Sequence, residues 1–172
     1  MEIHRELSQH DPSSPRTALT IGAYDGVHTG HRQVISEVCR LAVERGLTSA
    51  VLTFDRHPAS VVRPGSAPLL LTDTDQKLEE LATTGVDLTM VLPFDAERAT
   101  ESAESFIREV LVGGLGVALV VVGEDFHFGH QRLGNVALLR DLGVELGFEV
   151  MGLGLVGLDG RPARDHEQVS ST

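Results

Sequence analysis

The stretch "GAYDGVHTGH", Gly22 to His31, sets two imidazoles, His28 and His31, three residues apart among three glycines. Three kinds of chemistry use such an arrangement. Neutral imidazoles ligate metal ions, imidazole N–H groups donate to phosphate oxygens, and a glycine-rich segment also makes a plain tight turn with solvated histidines. The run "TALTI" before it reads as a strand and "RQVISEVCRLAVERG" after it as a helix. The histidines therefore stand where a helix begins, and the free backbone N–H groups of that end favour an anion. Gly30 allows a close approach of the backbone to a ligand. A zinc pair has no cysteine or clear carboxylate set nearby to complete a tetrahedron. The GKS/T of a P-loop and the dinucleotide fingerprint GxGxxG are both missing.

Three more stretches carry reactive side chains, and each follows an apolar run: "DRHPASVVRPG", "FDAERATESAE" and "EDFHFGHQRLGN". Taken alone, Asp125 is an acid after a strand, a placement that suits a helix cap as well as a functional carboxylate. Arg63 suits a phosphate partner or a solvated surface position equally. Phe126 and Phe128 suit a ligand wall or ordinary packing.

The elements that must position these residues alternate along the chain. "ALTIG" (Ala18 to Gly22), "SAVLTF" (Ser49 to Phe54), "DLTMVLPF" (Asp87 to Phe94), "VALVVVG" (Val117 to Gly123) and "EVMGLG" (Glu149 to Gly154) read as strands. Most are unbroken apolar runs, the pattern of a parallel sheet covered on both faces. Helical patterns fill the gaps. Gly30 to Arg45 keeps Val34, Ile35, Val38, Leu41 and Ala42 on one face and stops at Gly46. Asp73 to Thr84 ends at Gly85, Ser102 opens a helix with Phe106, Ile107, Val110 and Leu111 in register, and a fourth runs from about Asn135 to Leu146. This alternation predicts an α/β fold, a doubly wound parallel sheet with ligands beyond the carboxyl ends of its strands. "LDGRP" (Leu158 to Pro162) is a late turn signal.

At 172 residues and 41% hydrophobic, the chain is the size of one such domain. A formal charge of −11 disfavours a sequence-independent grip on nucleic acid, which needs a basic footprint. It leaves room for one small phosphate held locally at a helix end. Cys39, the single cysteine, lies on the apolar helical stripe and reads as a packed core thiol. The polar N-terminus is no signal peptide, and the longest uncharged run, fourteen residues from Val110 to Gly123, is too short for a bilayer. A cytoplasmic protein without membrane or nucleic-acid partners is expected, with its oligomeric state left open.

"TIGAYDGVHTGH" resembles the opening motif of the FMN adenylyltransferase (FAD synthetase) module of bacterial bifunctional riboflavin kinase/FAD synthetases. The resemblance continues in order through "LTFDRHPASVVRPG", the threonine–lysine helix and strand of "LLLTDTDQKLEELATTGVDLTMVLPFD", "SAESFIREVL" and "VVVGEDFHFGHQRLGN". It spans roughly Leu19 to Thr172 and implies a Rossmann-like sheet of the HxGH nucleotidyltransferase type. It also implies transfer of AMP from ATP to FMN, with Mg2+, giving FAD and pyrophosphate. On this resemblance His28, His31 and Asp125 are the catalytic candidates. Gly22, Tyr24, Asp25, Gly30, Ser170, Ser171 and Thr172 join the histidines around ATP. Phe54, His57, Pro58, Arg63, Asp125, Phe126 and Phe128 lie in segments the family uses near the flavin. No metal ligands are assigned.

The chain departs from the family pattern at several places. Ala23 stands for the usual asparagine, Tyr24 for phenylalanine, Arg56 for the first proline of TFDPHP, and His127 for arginine. "VSST" resembles the start of the family's ISSTRIR motif without its arginine. The expectation is therefore an FAD synthetase domain incomplete at its C-terminus, without the kinase domain, weakly active or inactive in adenylyl transfer although a longer parent would be competent, and inactive on riboflavin. Two other readings stay open: a different HxGH nucleotidyltransferase, acting for instance on pantetheine phosphate or nicotinamide mononucleotide, and a non-catalytic nucleotide- or flavin-binding fragment.

Overall fold

The computed structural model describes residues 1–11, 13–24, 29–55 and 74–154. Six strands form one sheet: β1 (Glu2–His4), β2 (Thr17–Ile21), β3 (Thr48–Phe54), β4 (Leu88–Leu92), β5 (Val117–Gly123) and, after a short hairpin, β8 (Glu149–Leu153). Their order is β1-β4-β3-β2-β5-β8 and every pairing is parallel. The five sequence-predicted strands are present to within two residues. β1 is the addition. It is three residues long, mostly exposed, and lies at the sheet edge against β4, so it carries no apolar run to announce it.

Among the described residues, two helices cover one face. α1 (Thr29–Arg45) buries Val34, Ile35, Val38, Leu41 and Ala42, as its apolar stripe predicts. α2 (Thr74–Ala82) adds Leu78 and Leu81. These side chains meet Ala18, Leu119 and Val121 in one cluster and Tyr24, Val51 and Val86 in another. The opposite face holds the main core. Leu19, Ile21, Leu52, Met90 and Val120 pack there against Phe106, Ile107, Val110 and Leu111, and against Val136, Leu139 and Leu142 of α5 (Val136–Leu146). Alternate residues of the same strand thus serve different helical layers, which is what a doubly wound sheet requires.

The segment after β4 differs from a simple helix. Asp95 caps a one-turn α3 (Ala96–Thr100), its Oδ1 accepting from the Arg98 N–H at 2.8 Å. Ser102 then caps α4 (Ala103–Phe106), which widens into a π-helix over Ile107–Gly114. The acid and hydroxyl in "FDAERATESAE" that looked chemically loaded are thereby helix caps. Residues 124–135 form the other feature hidden from sequence, a hairpin of β6 (His127–Phe128) and β7 (Gly134–Asn135). Asn135 ends it and caps α5, its Oδ1 accepting from Leu138 N–H at 2.9 Å. The turn "LDGRP" falls outside the described residues.

The topology also locates a crevice. From β2 the chain winds outward through β3 to β4, then returns to β5 on the other side of β2 and continues to β8. The connections leaving the carboxyl ends of β2 and β5 consequently diverge, and ligands of such sheets sit between them. Those connections carry "GAYDGVHTGH" and "EDFHFGHQ".

Candidate functional site

Gly22 extends the ladder one residue past β2, its N–H donating to the Leu52 carbonyl at 3.0 Å. The chain then turns sharply at Tyr24, which holds a left-handed backbone (φ +53°) that a residue with a Cβ rarely adopts. This folds the phenol back over Gly22. A Cβ at Gly22 would lie 2.9 Å from the Tyr24 ring, so the glycine exists here for the aromatic that covers it. The ring is buried, meets Ile35, Val51 and Leu81, and its hydroxyl bonds the Thr20 hydroxyl at 3.3 Å. It meets the His31 imidazole in a T-shaped contact, centroids 4.8 Å apart and planes at 77°.

Burial holds the Tyr24 phenol well above the ordinary tyrosine range, only partly opposed by the Thr20 hydroxyl. Tyr24 is the only tyrosine in the chain, so tyrosinate absorbance near 295 nm (about the usual wavelength for that anion) reports on it alone. The sign is definite. The folded pKa is raised, so the group costs nothing below the unfolded value near 10; above it the unfolded state gains the phenolate and the folded state does not. We expect no tyrosinate signal in the folded chain as pH passes 10, and stability to fall from there upward. Ionisation at an ordinary tyrosine pKa in chain still folded by circular dichroism would contradict the burial.

Gly30 is buried in the first turn of α1 and His31 is half-buried beside it. Asp25 and His28 lie outside the described residues, as do His57, Pro58 and Arg63 and the C-terminal Ser170, Ser171 and Thr172. Across the crevice, Asp125 is exposed in the turn after β5, where Phe126 N–H closes on the Gly123 carbonyl at 3.1 Å. His127 Nδ1 donates to the Asp125 carbonyl at 2.7 Å. The His127 ring thus braces the turn bearing Asp125.

The three phenylalanines assigned to the flavin side fall into two groups. Phe126 stacks on Phe128 (5.4 Å, 13°), and Phe128 also leans on Phe106 at 6.0 Å. Phe54, the last residue of β3, meets Phe94 edge-on at 5.2 Å. Phe54 and Phe126 are buried and belong to the main core, whereas Phe128 and Phe94 pack on it from its margin. All five therefore build an aromatic layer on one face of the sheet. Two glycines hold the hairpin to it: a Cβ at Gly129 or at Gly134 would come within 2.9 Å of Ala103 at the start of α4.

One residue at the site escaped the sequence reading. Lys77 of α2 is 6% exposed, and its ammonium donates to the Ala23 carbonyl at 2.8 Å, the Phe54 carbonyl at 3.0 Å and the Thr53 hydroxyl at 3.4 Å. The available signal was its helical position, one and four residues from the buried Leu78 and Leu81. Cys39 is half-buried, with Sγ 4.0 Å from the Thr84 carbonyl, and burial pushes its thiol up. That agrees with a packed thiol. Among the described residues no three histidine, cysteine, aspartate or glutamate side chains gather as a metal-holding group, and no helix is long and apolar enough to cross a membrane.

Residues 10–172 match the family model described as FAD synthetase. A bifunctional riboflavin kinase/FMN adenylyltransferase of Pseudomonas fluorescens is 37% identical over 160 residues, covering 93% of this chain and 51% of the relative. Its counterpart in Escherichia coli K12 is 39% identical over 132 residues, 77% of this chain and 42% of the relative. The chain thus spans about half the length of the curated relatives it matches. Among solved structures, a Streptococcus pneumoniae protein described as a macrolide-efflux protein superposes with a TM-score of 0.76 at 20% identity, over 99% of this chain and 54% of that one. A pantoate-beta-alanine ligase of Francisella tularensis gives 0.61 at 14% identity, over 99% of this chain and 74% of that one. At such identities these two speak to the fold, and they agree with the Rossmann-like parallel sheet described above. By the family match across nearly its whole length, the chain belongs to the FAD synthetase family.

Proposed function

We propose that this chain carries out adenylyl transfer from ATP to FMN. A phosphate oxygen of FMN attacks the α-phosphorus of ATP, a new P–O bond forms, the α–β bridging P–O bond breaks, and pyrophosphate leaves. FAD is the product. The observation that carries this reading is the β2–α1 turn at the diverging point of the sheet, where His31 is held by Tyr24 at the first turn of a 17-residue helix. Such an end offers oriented N–H groups and imidazole donors to a triphosphate without basic charge elsewhere.

Little covalent work falls to the protein. Holding the two phosphates in line and neutralising charge on the bridging and departing oxygens account for most of the acceleration. His28 and His31 serve as those donors, with Asp25 and Gly30 shaping the turn. Gly22 and Tyr24 support it from below. Ser170, Ser171 and Thr172 match family positions that bind the nucleotide. Asp125 stands on the β5 side, where the two substrates meet in the family. His57, Pro58 and Arg63 match the flavin-side segment, and Phe54, Phe126 and Phe128 back it. Mg2+ enters as part of the ATP substrate and offsets phosphate charge; hard oxygen ligands supplied by the phosphates themselves suit that ion.

The test is chromatographic. The chain is incubated with FMN, ATP and Mg2+, and FAD is expected to accumulate above a protein-free control, and much more slowly when His31 is replaced by alanine. Pantetheine phosphate and nicotinamide mononucleotide in place of FMN are expected to give no adenylylated product. Turnover of either in preference to FMN would move the chain to another nucleotidyltransferase reaction. Tight FMN and ATP binding by calorimetry with no product would make it a binding module.

A further inference from the structure

We propose that Lys77 is a positioning residue that sets His31 through the Ala23–Tyr24 peptide; the catalytic part of this rests on the adenylyl-transfer reading. The argument begins with one carbonyl. The Ala23 oxygen accepts from Lys77 Nζ at 2.8 Å and from the Thr53 hydroxyl at 3.1 Å, so both of its lone pairs are engaged by buried donors. That oxygen belongs to the peptide whose nitrogen is Tyr24's, and the orientation of this peptide plane fixes rotation about the Tyr24 N–Cα bond. Tyr24 holds φ at +53°, an unfavourable value for a residue with a Cβ. Such a conformation persists only where its surroundings over-determine it.

Lys77 and Thr53 supply that over-determination. Lys77 also grips the Phe54 carbonyl at the end of β3, so its ammonium ties the β2 turn to a rigid strand rather than to another loop. With the peptide held, the Tyr24 ring lies on Gly22 and makes its T-shaped contact with His31. The chain of contacts is short and wholly buried until it reaches the imidazole: α2, the Ala23 carbonyl, the Tyr24 turn, His31. A lysine serves here because one ammonium carries three donors. The oxygens of Ala23, Phe54 and Thr53 accept them.

The experiment compares Lys77→Met, and Thr53→Val as a milder second variant, with the parent chain. It has two readouts. The first is the His31 ring resonances in the ligand-free chain, assigned by their loss in His31→Ala. The second is steady-state FAD formation with separate kcat and KM for FMN. In Lys77→Met the His31 resonances are expected to move and kcat to fall tenfold or more with KM for FMN changed less than threefold. Thr53→Val is expected to shift the same resonances in the same direction by less. Folded Lys77→Met with His31 resonances coincident with the parent would overturn the proposal, and so would Thr53→Val with unmoved resonances if Lys77→Met does not fold. A variant that loses thermal stability while kcat and the resonances hold would reduce Lys77 to a structural role, which also overturns it. Absence of FAD formation by the parent chain sinks the adenylyl-transfer reading alone, because the ligand-free resonances still decide the positioning.

Discussion

His31→Ala is expected to slow FAD formation by about 30- to 1,000-fold, mostly in kcat. The magnitude follows from removing a preorganised donor to charge that develops in the transition state, worth about 2–4 kcal/mol. The imidazole is suited to that task because it is held before substrate arrives. Its ring is half-buried, braced by a T-shaped contact with Tyr24, and set in the first turn of α1 beside buried Gly30. Little reorganisation then remains to be done during reaction. Truncation should leave folding nearly intact, since the cluster formed by Tyr24, Ile35, Val51, Leu81 and Val86 persists without it. Circular dichroism and the melting temperature are therefore expected to match the parent while turnover collapses. His31→Asn, which keeps one N–H donor, should fall between the two. An alanine variant within threefold of the parent would remove His31 from the chemistry.

The second large effect concerns stability. Glycine to alanine inside a helix ordinarily stabilises, by about 0.8–1 kcal/mol. Gly143 of α5 should do the reverse. A Cβ there would sit 2.5 Å from the Phe148 carbonyl oxygen and 3.3 Å from the Phe148 ring. The carbonyl is backbone and cannot swing aside like a side-chain tip. It is fixed because the chain doubles back over the last turn: Gly147 takes the left-handed cap (φ +86°), and the N–H groups of Gly147 and Phe148 both donate to the Gly143 carbonyl, at 2.8 and 3.0 Å. Phe148 leads directly into β8 and its ring is in the main core. Relieving the clash must move the entry to an edge strand, a strain of about 1–3 kcal/mol that outweighs the propensity gain. Net of that gain the loss is up to about 2 kcal/mol, which for a chain of this size lowers the melting temperature by up to about 8 °C. Val144→Ala, one residue on at a site 89% exposed, is the control and is expected to be neutral or slightly stabilising. A melting temperature raised by Gly143→Ala would show that the overlap relaxes freely.

These two positions also mark how far the sequence can be read. His31 stands out through residue type and spacing, because histidines beside glycine at a helix start form a short local string that the sequence displays directly. Gly143 did not, since the atom that forbids its Cβ belongs to a backbone turn that exists only once α5 has been capped and docked. Lys77 is a similar case. In sequence it is one cation within the acidic helix "TDQKLEELA", and its importance comes from oxygens 23 to 54 positions away along the chain.

What the sequence determined by itself was local and periodic. Apolar runs placed β2, β3, β4, β5 and β8, the 3.6-residue stripe placed α1 and its buried face, and glycines at 46 and 85 marked helix ends with positive φ. Each of these signals lies within one element, so neighbouring residues suffice to show it. Tertiary structure decided the rest. It set the sheet order that lays β5 beside β2, paired β1 at the edge through backbone hydrogen bonds that need few apolar side chains, and folded residues 127–135 into a hairpin. It also decided that Tyr24 would turn left-handed and lie under the site. The strain of that turn is offset by a lysine and a threonine from other elements, contacts that come into being only when α2 and β3 pack together.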